Sequence, residues 1–428
     1  MPYEPLLDAA DAALRTLAGT SSDVRRWLVP GRLEVLGKHT DYAGGRSLLC
    51  AVERGIAFTV APRTDARVRI VDAGRGRDAA LVIAPDLARA PGHWSDYPVA
   101  VVRRLARNFP LACTGADVAF ASDLPSAAGL SSSSALVVGF FAALADVNGL
   151  ERTPEYAASL SRPQDLAGYL GTVENGRSFG PLEGDGGVGT SGGSEDHTAI
   201  LCCRPDQLSQ YMFCPIRHER SVRLPAAWVF AIGVSGVVAD KIGSARDAYN
   251  RAAGTVDAML RAWRAATGRS DACLADAVAS SPDAPERMRE ILRDAPSVPY
   301  APRTLLDRLE QFLGESVEII PEAGDCLARG DIEGLGLPVD RSQRMAERLL
   351  GNQVPETVAL ARSARSLGAA AASAFGAGFG GAVWALVEMQ RAGDFVERWA
   401  ESYRAAFPAR ASQAGFFLTR PGPALRKL

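Results

Sequence analysis

The stretch that most restricts how this chain can fold is PSAAGLSSSSALVVGFFAALADVNGL, residues 125–150, in which a run of small residues feeds straight into a long apolar segment. The pattern predicts a Gly/Ser loop and then an apolar helix from about Ala135. Small residues let the backbone come close to a polyphosphate, so that several N–H groups can point inward. The helix that follows would aim its positive N-terminal end at the same anion. Serine hydroxyls can donate to phosphate oxygens or join the shell of a Mg2+ ion. The pattern GxxxxGK[ST] is absent, so this is no Walker loop. Taken alone, the segment would also serve as a serine-rich helix cap.

Two further segments carry chemistry. Residues 30–45, PGRLEVLGKHTDYAGG, pack Arg32, Glu34, Lys38, His39, Asp41 and Tyr42 behind a strand pattern and between glycines. Such a concentration of polar groups suits a hydroxylated ligand, although a solvated turn would look similar. Residues 373–383, SAFGAGFGGAV, hold four glycines within six positions. A dinucleotide fingerprint is rejected there, because the glycines precede a strand rather than opening a helix after one.

The remaining chain reads as irregularly alternating helices and strands, which predicts α+β layers rather than a doubly wound sheet. Residues 1–20 have the spacing of an amphipathic helix. Residues 27–36, 47–72 and 117–124 carry strand patterns, and a helix is expected from near Trp94 through VAVVRRLARNF. Residues 175–195 are Gly/Ser-rich and fit a flexible linker as well as a built loop. A new strand pattern begins near Ala226, so the chain of 428 residues is divided into domains 1–222 and 223–428. Residues 240–350 read as mostly helical, with breaks at SSPDAP and PSVPYAPR, and strand patterns return at 367–389 and 414–423. Lys plus Arg is 47 and Asp plus Glu is 49, a balance that offers no general attraction to nucleic acid or anionic membranes. The seven cysteines and four histidines show no zinc spacing, and no apolar run is long enough to span a bilayer. A cytoplasmic protein with reduced thiols is the expectation.

Together, and in this order, the three segments resemble the motifs of the GHMP kinases, and within them those of the galactokinases. GRLEVLGKHTDYAGG is similar to GRxNxIGEHTDYxxG, PSAAGLSSSSA to PxGxGLSSSAA, and FGAGFGGA to TGAGFGGC. The ending FFLTRPGPA resembles the family's closing strand and tail. The likeness runs from about residue 28 to 425, and HTDYAGG together with GLSSSSA is the specific part.

The resemblance implies a two-domain GHMP kinase fold with the active site in the cleft between the domains, and phosphorylation of a monosaccharide by ATP with Mg2+, at the anomeric hydroxyl. It assigns the phosphate loop to Gly129, Leu130, Ser131, Ser132, Ser133 and Ser134, and the metal to Ser133 and Glu174. GGSEDHTAI takes the place of the family's GIMDQ stretch, which makes Asp196 the catalytic aspartate, with Arg32 its partner and Glu195 one position off register. An adjacent guanidinium keeps such an aspartate ionised, ready to accept the sugar hydroxyl proton. His39, Asp41, Gly193 and Tyr249 match sugar contacts, and Trp94 and Tyr97 match a stretch near the adenine.

The chain departs from the family pattern where Lys38 stands for a glutamate, Glu34 for an asparagine and Ser373 for an arginine. A cation at position 38 suggests an acidic sugar such as a uronate, unless Lys38 merely pairs with Glu34 or Asp41. A heptose phosphate kinase and a catalytically silent sugar- and ATP-binding regulator are the other readings. Retention of both Arg32 and Asp196 favours the enzyme. The expected partners are therefore a small sugar and ATP, with neither nucleic acid nor membrane.

Overall fold

Strand-forming runs of Val, Ile, Leu and Phe, broken by glycine turns, build two sheets in the computed structural model, which describes residues 3–19, 21–111, 113–125, 128–238, 246–295 and 299–428. The strands are β1 (Arg25–Leu36), β2 (Arg46–Pro62), β3 (Arg67–Asp72), β4 (Arg77–Val82), β5 (Ala116–Ser122), β6 (Gln207–Met212), β7 (Arg217–Arg223), β8 (Trp228–Val234), β9 (Ala371–Phe375), β10 (Ala382–Glu388), β11 (Gly415–Thr419) and β12 (Arg426–Lys427).

The first sheet runs β12-β1-β2-β5-β3-β4, with β6 also on β2 and β7 on β6. The long β2 is shared: its first residues pair with β6 and its last with β5. Only β3 and β5 are parallel in this sheet. The second sheet, β11-β8-β10-β9, is antiparallel throughout. The chain passes from the first sheet to the second between β7 and β8, over residues 224–227. The tail then comes back, and β12 pairs with β1 at Trp27 and Leu28. The last residues thus belong to the sheet built by the N-terminal half.

The helix expected from Ala135 begins at Ser132 and runs to Val147, so the serines form its first turn. It is apolar nearly all round, as a helix enclosed by other elements must be. The helix after Trp94 is Asp96–Asn108, and the amphipathic N-terminal helix is Glu4–Ala18. Residues 240–350 are mostly helical where described, with one helix starting inside SSPDAP at Ala284; part of PSVPYAPR lies outside the described residues.

Residues 175–195 form a built loop. Asp185 accepts from Arg103 at 2.5 Å and from Arg104 at 3.3 Å, both on the helix Asp96–Asn108, and Val188 N donates to Glu174 O at 2.8 Å. One apolar core joins the two sheets, with Val29, Phe58 and Phe120 from the first and Phe230 and Trp384 from the second. The indole of Trp384 also donates to Val35 O at 3.1 Å, bonding β10 to β1. A separate core, including Met259, Trp263 and Phe312, packs the helical lobe onto Ala43, next to the HTDY segment. Among the described residues no helix is long and apolar enough to cross a membrane.

Candidate active site

Arg32 and Glu34 share one face of β1 by the two-residue repeat of a strand. The pairing of β1 with β2 shifts register between Pro30 and Arg32 and again between Glu34 and Leu36. Bulges of this kind re-aim side chains. The Arg32 side chain is 2 % exposed, and two of its nitrogens reach Asp196 Oδ1, at 2.7 and 2.6 Å. A third donates to the carbonyl of Gly129, while Arg32 N donates to Leu130 O at 3.2 Å. Ser134 Oγ donates to Asp196 Oδ2 at 3.2 Å. One arginine therefore joins β1, the serine loop and the helix Glu195–Cys202, and both oxygens of Asp196 are held. Charge-assisted bonds like these are stronger than neutral ones and fix geometry.

Two other carboxyls crowd the same guanidinium. Glu195 Oε1 lies 3.8 Å from Arg32 Nε, and Glu195 Oε2 accepts from Ser47 Oγ at 2.6 Å. Burial, and then the charges of Glu34 and Asp41, push Glu195 well above the usual carboxyl range. Burial pushes Glu34 up to about 7, against the pull of Arg32 and Lys38, and its Oε2 accepts from Gly376 N at 3.1 Å. Burial opposes the charge of Arg32, but Asp196 first, then Glu195 and Glu34, hold it protonated above its ordinary range. One cation cannot neutralise three buried carboxylates. The two-pronged contact marks Asp196 as its partner.

Arg32 stands on the wall between two cavities. The larger is lined by Arg75, Arg77, Trp94, Tyr97, Gly129, Ser131, Ser132 and Ser133, and by residues 375–378 of the third motif. The smaller is lined by Glu34, His39, Asp41, Glu174, Gly193, Asp196 and Tyr249, and Arg32, Gly376 and Ala377 belong to both. The serine loop meets the third motif at two glycines with positive φ, Gly129 and Gly376. A Cβ on Gly376 would sit 3.3 Å from Gly129 Cα, so the two turns approach backbone to backbone. Ser131 takes a left-handed φ of 57°, rare without a structural demand, and its buried Oγ has no hydrogen-bond partner. Ser126 and Ala127 of this motif lie outside the described residues.

The expected residues separate into groups. Gly129, Ser131, Ser132, Ser133, Trp94 and Tyr97 line the larger cavity, and Trp94 stacks under the Arg77 guanidinium at 4.8 Å. Ser134, expected in the phosphate loop with its neighbours, lines the smaller cavity instead and bonds Asp196, while Ser132 and Ser133 of the same helical turn line the larger one. Leu130 offers only its backbone, its side chain being buried in the core. Asp41, Gly193, Tyr249 and Glu174 meet in the smaller cavity. A Cβ on Gly193 would lie 2.4 Å from Asp41 Oδ2, so any side chain there displaces Asp41. His39 also lines it, with both ring nitrogens engaged, by Tyr42 Oη at 2.7 Å and Ala377 O at 2.9 Å.

The reading of Lys38 as a ligand group is corrected. Lys38 is 1 % exposed, lies outside the linings of both cavities, and donates to Ser342 Oγ at 2.9 Å. Ser342 in turn donates to Glu315, which also accepts from Gly37 N at 2.9 Å. Position 38 thus braces the HTDY turn against the helical lobe, while Glu34 faces the cavity. Ser373 is buried and bonds Gln343, away from both cavities.

Sequence reasoning passed over Arg75, Arg77, Phe375 and His197. The two arginines lie in a hairpin with no motif, where both pair with Asp72 and Arg77 also covers the Trp94 ring. For a metal, the described residues form no group of three or more His, Cys, Asp or Glu. Glu174 Oε1 and Ser131 Oγ are nevertheless buried without hydrogen-bond partners, and hard oxygens of this kind suit Mg2+.

The chain is similar to known proteins along most of its length. The GHMP kinases N terminal domain matches residues 96–173, the galactokinase galactose-binding signature residues 15–62, and the GHMP kinases C terminal domain residues 325–405. A galactokinase of Roseiflexus sp. (strain RS-1) is 28% identical over 88% of this chain and 87% of its own length. That of Streptomyces coelicolor (strain ATCC BAA-471 / A3(2) / M145) is 36% identical over 41% of each. The crystal structure of Lactococcus lactis galactokinase complexed with galactose covers 99% of this chain and 100% of its own, with 20% identity and a TM-score of 0.81. Both family halves and the galactose-binding signature thus lie in sequence order on one such fold, and the chain is similar along most of its length to the GHMP kinases and, among them, to the galactokinases.

Proposed function

We propose that this protein transfers the γ-phosphoryl group of ATP to the anomeric hydroxyl of a neutral monosaccharide, with galactose the first candidate. The observation that carries the reading is the Arg32–Asp196 pair on the wall between the two cavities. The larger cavity suits the nucleotide: an aromatic and arginine stack at one end, and a glycine and serine turn at a helix N-terminus near Arg32. The smaller cavity, rich in oxygen acceptors, suits the hydroxyls of a sugar.

In this scheme the sugar oxygen attacks the γ-phosphorus and the bond to the β,γ-bridging oxygen breaks. ADP leaves, and the hydroxyl proton passes to a carboxylate oxygen of Asp196. Phosphoryl transfer depends mainly on position and electrostatics, so proton transfer need not come first. Arg32 offsets charge that develops on the moving phosphoryl group. Ser134 holds the second oxygen of Asp196, and Asp41, Gly193 and Tyr249 position the sugar. Glu174 and Ser133 would hold a Mg2+ ion, which supplies charge neutralisation between phosphate oxygens. Burial of Lys38 removes the reason to expect an acidic sugar. A cytoplasmic setting fits an enzyme that draws on ATP and a free sugar.

The test is sugar-dependent ATP consumption across hexoses, pentoses, uronates and amino sugars. Neutral hexoses should be turned over and uronates should not. Asp196→Asn should lower kcat by about 10²–10⁴-fold with the fold intact. Full turnover in that variant would remove Asp196 from its role.

A further inference from the structure

One buried side chain beside this site has no task in the reaction above. His197 follows Asp196 on the helix Glu195–Cys202, and its side chain is 2 % exposed. Its Nε2 lies 3.2 Å from Glu174 Oε1. Neither atom has a hydrogen-bond partner, and His197 Nδ1 has none either. The two groups are close enough for a hydrogen bond, but they are not oriented for one. A buried imidazole and a buried carboxylate oxygen left in this state lose the hydration they had in water and gain no bond in return.

Both residues line the smaller cavity. Two ligand atoms about 2.1 Å from one ion, at right angles, stand about 3 Å apart. The observed gap of 3.2 Å, an ordinary distance for an imidazole beside a carboxylate, also fits neighbouring positions in a single coordination shell. Residue type points the same way, since an imidazole nitrogen is a poor partner for Mg2+ and a better one for first-row transition ions, weakly so for Mn2+ and more strongly for Co2+.

We propose that His197 is a nitrogen ligand, beside Glu174, of the divalent cation that accompanies the nucleotide, and that it tilts the site toward Mn2+ and Co2+ over Mg2+. This rests on the sugar-kinase reading, which assigns such a cation to Glu174. The described residues offer no third His, Cys, Asp or Glu in a cluster, so substrate oxygens, serine or water complete the shell.

The experiment uses the full chain with 15N-labelled histidine and Mn2+ as a paramagnetic probe, added alone and with ADP. Pulsed electron paramagnetic resonance should detect coupling to a histidine 15N, which separates it from the unlabelled adenine nitrogens. His197→Gln should abolish the coupling and weaken Mn2+ binding at least about tenfold. It should also let Mg2+ displace Mn2+ at lower excess. Thermal melting checks that the variant is folded, and His197→Asn replaces it if it is not. Bound Mn2+ without histidine coupling, coupling that survives the substitution, or no Mn2+ binding in either arm would overturn the proposal. If wild-type protein consumes ATP with a sugar while the coupling is absent, only the ligand assignment fails. If no sugar supports turnover with either metal, the kinase reading itself fails.

Discussion

In water a glutamate carboxyl is ionised above its ordinary value of 4.5, but burial on β1 pushes that of Glu34 up to about 7. The native state therefore holds a proton between about pH 4.5 and 7 that the unfolded chain has released. The stability linked to that proton is complete below pH 4.5 and is lost as pH rises through 7. Glu34→Gln, which stays neutral, should escape this loss. The melting temperature of the variant, relative to the parent, should increase from pH 5 to pH 8, and a constant difference would show that Glu34 is not the titrating group. At this scale residue types were legible in the sequence, but their surroundings were not. Lys38 looked like a cation facing a ligand because Glu315 and Ser342, which enclose it, lie more than 270 positions away.

Elements followed their local patterns closely, since strand alternation and apolar helical runs depend on neighbours a few residues apart. The loop 175–195 did not, because its order comes from Arg103 and Arg104 on another helix. Gly193 tests how tightly that loop is fitted to the HTDY turn. In Gly193→Ala the new methyl would stand 2.4 Å from Asp41 Oδ2 and 2.9 Å from Tyr42 N. Asp41 would have to move and give up its 3.1 Å bond from Glu195 N. Losing one such bond costs about 1–2 kcal/mol, so the sugar KM should rise roughly tenfold while the ATP KM stays within about twofold. Equal changes in both constants would mean that the loop serves the nucleotide as well.

For the whole molecule, the question is what holds the two cavities against one wall. Trp384 is fully buried, packs edge-on against Phe230 at 5.6 Å, and donates to β1 through Val35 O. Trp384→Phe keeps an aromatic ring but leaves that carbonyl without its donor and opens space in the shared core. A loss of about 2–4 kcal/mol is expected, read as a lower denaturant midpoint at unchanged slope. Because both cavities rely on β1, the KM values for sugar and for ATP should rise together. An unaltered midpoint would show that the sheets are joined elsewhere.

The sequence by itself determined the three motifs, their order and the backbone shapes they impose, because glycine turns, strand alternation and apolar runs are local properties. Its family resemblance also singled out Arg32 and Asp196, which the fold brings side by side. Only the tertiary structure decided that Ser134 serves Asp196, that Lys38 is a brace, and that His197 stands against Glu174. Those outcomes depend on which groups lose water together, and the chain brings them together only on folding: Arg32 and Asp196 are 164 positions apart.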